Sequence, residues 1–346
     1  MLRKTALLIC CLFMFGFLFG CYNEIDDSSL TESTPENNGI NSATLKELNE
    51  IIPNDYPEII STIILRNGNI VFEEYYGTRK NSLNELRSVT KSFISALIGI
   101  SIDKGYLDGV DQKLVDFFPE YVNSKTDPKF KEITIENLLT MRAGIDFDNH
   151  DTPKYIDWRY NRNLVKPFFE DELPYSPGGI LLYNDPTAHF LSAIITKVSG
   201  MSTMDFAEKY LFDKLDISRY RWEKDYQDYN LGGSGLNLRT RDSAKFGQLY
   251  LNKGKWNGEQ VISSEWIEQS TKKYTGGNRV YHDYGYLWWT NTFSSYSCYI
   301  ASGFGGQNIF VIPDLDMVVA INSKTNIKEH NNQKIIDKYI IPAVEK

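Results

Sequence analysis

Arg87–Ile98, reading RSVTKSFISALI, is the stretch that decides the fold. Phe93, Ala96, Leu97 and Ile98, continued by Ile100, form an apolar run that predicts a helix from about Ser88 to Lys104, closed by Gly105. Ser88 and Lys91 stand three residues apart at its start, hence on one face. An ammonium lining an apolar helix loses hydration, so the pKa of Lys91 is expected to fall until it can take the serine proton. The free N–H groups of the helix start favour the negative charge that develops in acyl transfer. The plainer reading makes Ser88 a helix cap and Lys91 a solvated side chain, and context has to separate the two.

Ser-x-x-Lys alone is a weak signal, because Ser101–Lys104 and Ser270–Lys273 repeat it. Only Ser88 opens an apolar helix just after an expected hairpin. There Ile59–Arg66 and Asn69–Tyr76 flank Asn67-Gly68, two residues that accept the positive φ of a tight turn. Further on, helices are expected at Ile135–Met141, Pro186–Val198, Thr203–Phe212, Arg241–Asn252 and Ser264–Lys272. Strands are expected at Tyr284–Thr290, Ser297–Ser302, Asn308–Ile312 and Met317–Asn322, then a helix from about Glu329 to Val344. Strands near both ends around a helical middle predict an α+β fold. Its antiparallel sheet lobe, about 44–87 and 255–346, is flanked by terminal helices and carries an inserted helical lobe, about 88–254.

A second motif lies at Tyr183-Asn184-Asp185. Asp185 followed by Pro186 reads as a cap and then proline at the first helical position. Tyr183 would project from the start of that helix, whose positive end could lower the phenol pKa.

These residues together resemble the serine β-lactamases and penicillin-binding proteins, in particular the class C β-lactamase-related branch. That branch also holds esterases, D-amino-acid peptidases and 6-aminohexanoate-dimer hydrolases. The resemblance runs from near Ile59 to the C-terminus and rests also on Ile133–Gly144 (ITIENLLTMRAG), Pro177–Leu191 (PGGILLYNDPTAHFL) and Gly303–Pro313 (GFGGQNIFVIP). It implies the β-lactamase/transpeptidase-like fold, Ser88 as nucleophile, Lys91 as general base and Tyr183 as proton shuttle. Asp185 takes the place of the Asn that usually ends the tyrosine motif. The family's third motif, a cation then Thr or Ser then Gly, matches best at Ala301-Ser302-Gly303, without the cation. Tyr274-Thr275-Gly276 is a rival in a polar loop. By the same analogy the N–H groups of Ser88 and Phe304 form an oxyanion hole, with Asp185, Ala301, Ser302 and Gly303 lining the substrate site. The missing cation favours a less charged amide or ester over a β-lactam. A non-catalytic module that binds cell-wall peptide or a protein partner is the alternative.

Competing chemistries lack their signatures. There is no G-x-S-x-G and no H-E-x-x-H, and the 4 histidines are scattered, so neither a metal nor another cofactor is expected. The net charge of −8, with no basic run beyond the N-terminal tip, argues against nucleic acid. Arg3 and Lys4 followed by apolar Ala6–Gly20 and Cys21 read as a signal peptide with a lipobox-like end. Residues 1–21 are thus expected to be a lipoprotein signal peptide, cleaved so that lipidated Cys21 becomes the mature N-terminus and anchors the protein in the cell envelope. Residues 22–43, acidic and poor in apolar side chains, read as a disordered tether before a hydrolase domain at 44–346. Cys298 is then the one body cysteine, expected to be a packed, inert thiol.

Overall fold

The structure, a computed structural model, describes residues 29–277, 283–325 and 332–344. Cys21, Arg279, His282 and His330 lie outside these residues.

Among the described residues, nine strands form the main sheet: β1 Thr31–Glu32, β2 Ile59–Arg66, β3 Asn69–Tyr75, β4 Thr275–Gly276, β5 Asp283–Tyr284, β6 Trp289–Phe293, β7 Tyr296–Gly303, β8 Gln307–Ile312 and β9 Met317–Ser323. Their order is β1-β3-β2-β9-β8-β7-β6-β5-β4. Asn67 and Gly68 have φ of 51° and 76°, as a tight hairpin between β2 and β3 requires. Residues Ile309–Ile312 and Met317–Ala320 are all buried. A strand covered on both faces reads as an unbroken apolar run, which is how β8 and β9 stand in the sequence.

The main helices are α1 Ser42–Asp55, α2 Val89–Asp103, α3 Thr152–Arg159, α4 Asp185–Ser199 and α5 Thr240–Leu251. Helix α5 lies close on the sheet because Gly247 has no side chain. A Cβ there would come 2.5 Å from Val318 and 2.8 Å from Ile309. The N–H of Asn41, which caps α1, donates to the Ala343 carbonyl at 2.8 Å, so the two ends of the domain meet. The expected final helix is a run of short helical turns over Gln333–Ile335, Ile336–Ile340 and Ile341–Ala343.

Three expectations need correction. The sheet is not wholly antiparallel, since β1 pairs with β3 in parallel. That strand comes from the expected tether, which from residue 29 onward is part of the fold: Leu30, Asn38 and Ile40 are buried. Local composition misled because the cation that answers Glu32 comes from Arg241, 209 residues away. Finally, the strand expected at Tyr284–Thr290 is two strands, broken where Leu287 takes φ of 60°. Leu287 is held there from outside the sheet. Its N–H donates to the Leu139 carbonyl at 2.9 Å, and its carbonyl accepts Ser92 Oγ at 2.8 Å.

Candidate active site

Ser88 sits just ahead of α2, half-buried, and its side chain makes no capping bond. The preceding Arg87 has φ of 51°, a left-handed backbone that costs a non-glycine residue about 1–2 kcal/mol. That bend carries the chain from the short strand Asn84–Glu85 into α2, and Arg87 Nη2 fastens it to the Thr325 carbonyl at 3.2 Å.

Lys91, one turn on, is 1% exposed. Its Nζ meets Ser88 Oγ at 3.0 Å, Asp185 Oδ1 at 2.6 Å and the Gly233 carbonyl at 3.0 Å. An ammonium has three N–H groups, and all three have acceptors. The Tyr183 ring centroid lies 4.8 Å from Nζ, and that ring is flanked by Trp289 at 5.3 Å and Tyr284 at 6.0 Å. The expected fall in the Lys91 pKa does not occur. Burial pushes it down, but the Asp185 carboxylate, helped by Tyr183, outweighs burial and holds it above the usual lysine value.

The cap of α4 is Asn184, not Asp185. Asn184 has extended backbone, and its side-chain oxygen accepts from Thr187 N at 2.8 Å. Its amide also donates to the carbonyls of Ile145 at 2.9 Å and Leu182 at 3.0 Å. Asp185 and Pro186 are therefore the first two residues of the helix, and Asp185, 5% exposed, faces the lysine. Besides Lys91, its Oδ1 accepts Asn149 Nδ2 at 3.0 Å and its Oδ2 accepts the Tyr155 hydroxyl at 3.0 Å. Its backbone N–H donates to Asn149 Oδ1 at 3.0 Å. Both carboxylate oxygens are thus taken up by protein donors, so Asp185 serves the lysine and is not laid out for substrate.

The end of β7 lies beside the nucleophile. A Cβ on Gly303 would stand 2.5 Å from the Leu86 carbonyl and 3.0 Å from Arg87 Cβ. Ser302 Oγ accepts Asn308 Nδ2 at 3.0 Å, and Ala301 is wholly buried. Phe304 follows in a tight turn and is 42% exposed, its ring 6.2 Å from that of His150. Among the described residues, neither the Ser88 N–H nor the Phe304 N–H has a protein acceptor, which leaves both for an oxyanion. No cation replaces the one missing at Ala301 from Arg239, whose fully buried guanidinium grips Asp242 with two bonds of 2.7 Å. The rival Tyr274-Thr275-Gly276 lies on the outermost strand, β4.

Asn149, Tyr155 and Gly233 escaped the sequence reading. Tyr155 stands on α3 and Asn149 in the loop before it, while Gly233 lies in the loop that precedes the short strand Leu236–Leu238. The glycine pair at 232–233 was the available signal. A Cβ at Gly233 would come 2.5 Å from Asp185 Cγ, and one at Gly232 2.1 Å from the Ala188 carbonyl.

The sequence profile of the Beta-lactamase family matches residues 60–338, and the chain belongs to that family, whose members are serine hydrolases. It is 26% identical over 289 residues to a 6-aminohexanoate-dimer hydrolase of Paenarthrobacter ureafaciens, spanning 74% of this chain and 70% of the relative. Its fold is similar to that of EstCE1, a hydrolase with promiscuous acyltransferase activity, at a TM-score of 0.69 and 14% identity over 82% of this chain and 93% of the other. A class C β-lactamase matches at a TM-score of 0.67 and 16% identity, over 88% and 96%. The β-lactamase/transpeptidase-like architecture and the family both agree with the resemblance read from the motifs.

Proposed function

We propose that this chain hydrolyses an amide or ester through an acyl-enzyme on Ser88. The observation that carries the reading is the 3.0 Å contact between Ser88 Oγ and the buried Lys91 Nζ. Ser88 attacks the carbonyl as its proton passes to Lys91 Nζ, which, being an ammonium, gives up one of its own protons in the same step. The N–H groups of Ser88 and Phe304 hold the oxyanion, a proton returns by way of Lys91 and Tyr183 to the leaving group, and water repeats the sequence to release the acyl group.

The substrate site lacks a cation at Ala301, which favours a neutral amide or ester over a β-lactam with its carboxylate. A linear amide is the first substrate class to try, by analogy with the 6-aminohexanoate-dimer hydrolase. Labelling by a fluorophosphonate, beside a hydrolysis screen of linear amides, short esters, D-Ala-D-Ala peptides and nitrocefin, tests the proposal. Wild type should label and Ser88→Ala should not. An unlabelled wild type would favour a non-catalytic, peptide- or protein-binding module.

The proposal includes export and a membrane anchor through lipid on Cys21. Mass spectrometry of the mature N-terminus decides it, and an unmodified N-terminus beyond residue 21 would refute lipidation.

A further inference from the structure

By the resemblance, Asp185 stands where the tyrosine motif usually ends in a neutral Asn, and a carboxylate there alters the proton chemistry of the lysine. The Lys91–Asp185 contact of 2.6 Å joins side chains that are 1% and 7% exposed. A proton lost from Lys91 to solvent would leave a buried carboxylate without its countercharge, a costly state. A proton passed from Nζ to Oδ1 keeps the site neutral. We propose that Asp185 is the proton store of this site, so that Ser88 is deprotonated by a Lys91–Asp185 pair and not by a free amine. This rests on the acyl-enzyme reading above.

The step balances. At rest the site holds the Ser88 hydroxyl, the Lys91 ammonium and the Asp185 carboxylate. As the Oγ–carbon bond forms, the hydroxyl proton moves to Nζ while Nζ gives one of its own to Oδ1. The tetrahedral oxyanion then faces an ammonium, and Asp185 is a neutral acid. On collapse the bond to the leaving group breaks. Its proton comes from Lys91 by way of Tyr183, Asp185 refills Lys91, and the pair returns to its resting charges. Asp185 touches no substrate atom, so it is a positioning residue that acts through Lys91.

The groups facing Asp185 suit this role. Lys91 reaches it from α2, Tyr155 from α3 and Asn149 from the loop before α3. Gly233 completes the lysine's shell, and Tyr183 stands over Nζ. Burial and Asp185 push the Tyr155 hydroxyl well above the ordinary phenol value, with Ser234 and Arg159 opposing, so Tyr155 stays a proton donor. His189, one turn along α4, is bonded to Asp225 at 3.1 Å, and its Nδ1 is the acceptor for Gly232 N–H.

The test is the rate of fluorophosphonate labelling against pH for the full chain, wild type beside Asp185→Asn, with thermal melts to establish folding. In Asp185→Asn only Lys91 can hold the serine proton, so labelling must wait until that ammonium is lost. Its acid limb should lie at least one pH unit above that of wild type. The result is a loss of about tenfold or more at the acid end, one unit being a factor of ten, with rates converging at alkaline pH. Superimposable limbs, or a loss independent of pH in a folded variant, would overturn the inference. Should Asp185→Asn not fold, Tyr155→Phe substitutes. It removes a donor from Oδ2, strengthens proton binding at Asp185 and should move the acid limb upward, and an unmoved limb would overturn the inference equally. A wild type that never labels counts against the acyl-enzyme reading instead. Labelling that Ser88→Ala abolishes, with limbs unmoved in Asp185→Asn, counts against Asp185 alone.

Discussion

Three serines in this chain stand three residues ahead of a lysine, and their hydroxyls are engaged differently. Ser101 Oγ donates to the Leu97 carbonyl at 2.7 Å and Ser270 Oγ to that of Ile267 at 3.2 Å, both within their own helices. Ser88 Oγ is met by Lys91 Nζ. Ser88→Ala should therefore abolish covalent labelling with the melting temperature nearly unchanged, while Ser101→Ala should keep full labelling. Equal labelling of wild type and Ser88→Ala would remove Ser88 from the mechanism. Lys91→Ala is expected to do more than inactivate. It strands the Asp185 carboxylate in the interior and should cost about 3–5 kcal/mol in urea unfolding. Adding Asp185→Asn should recover a large part of that loss, and simple additivity of the two changes would show that the pair is not coupled. Ser88 and Lys91 could be read from the sequence because one helical turn joins them, and Tyr183 because of its motif and the helix start beside it. Their partners could not. Gly233 reaches Lys91 across 142 positions, and Asn149 reaches Asp185 across 36. No local periodicity encodes such meetings.

Elements carry these groups to one place, and two contacts decide the placement. Strand β7 approaches the nucleophile only because Gly303 lacks a side chain. Gly303→Ala would have to move β7 about 1 Å away from the Leu86 carbonyl to reach an ordinary contact, and a shift of that size can cost about 100-fold in rate. The expected outcome is a loss of labelling rate of that order with the fold retained; an unaffected rate would mean that the turn after β7 does not hold the oxyanion. At the other contact, Asn184 caps α4 and ties it to Ile145. Asn184→Ala removes the cap and leaves buried partners unmet, for an expected cost of about 2 kcal/mol by thermal or urea unfolding. Helices α2, α4 and α5 and strands β2, β3, β8 and β9 were legible because each shows its own period or an unbroken apolar run. The break at Leu287 was not. It is imposed by Leu139 and Ser92, residues of other elements, and no propensity of the stretch 284–290 announces it.

For the molecule as a whole, residues 29–43 belong to the domain and are not a tether. What fastens residues 29–43 is charge as well as burial. Arg241, 3% exposed, bonds Glu32 Oε1 at 2.6 Å and grips Glu73 with both Nε and Nη2. The two acids differ in burial, with side chains 67% and 13% exposed, so they should differ in weight. Glu32→Gln should cost at most about 1 kcal/mol, as exposed pairs do. Arg241→Ala leaves Glu73 charged and mostly enclosed, and should cost about 3 kcal/mol while exposing the segment before α1 to limited proteolysis. The sign of the pH dependence follows from Glu73. Burial raises its pKa, but Arg241 and Tyr75 together bring it below the ordinary value. A depressed carboxyl contributes stability above its unfolded pKa, about 4.3 for Glu, and loses it as pH falls through the folded value. The stability gap between wild type and Arg241→Ala should therefore be full at neutral pH and narrow below about pH 4. A gap in urea unfolding that stays constant from neutral to acid pH would show that Arg241 acts there by packing and not by charge.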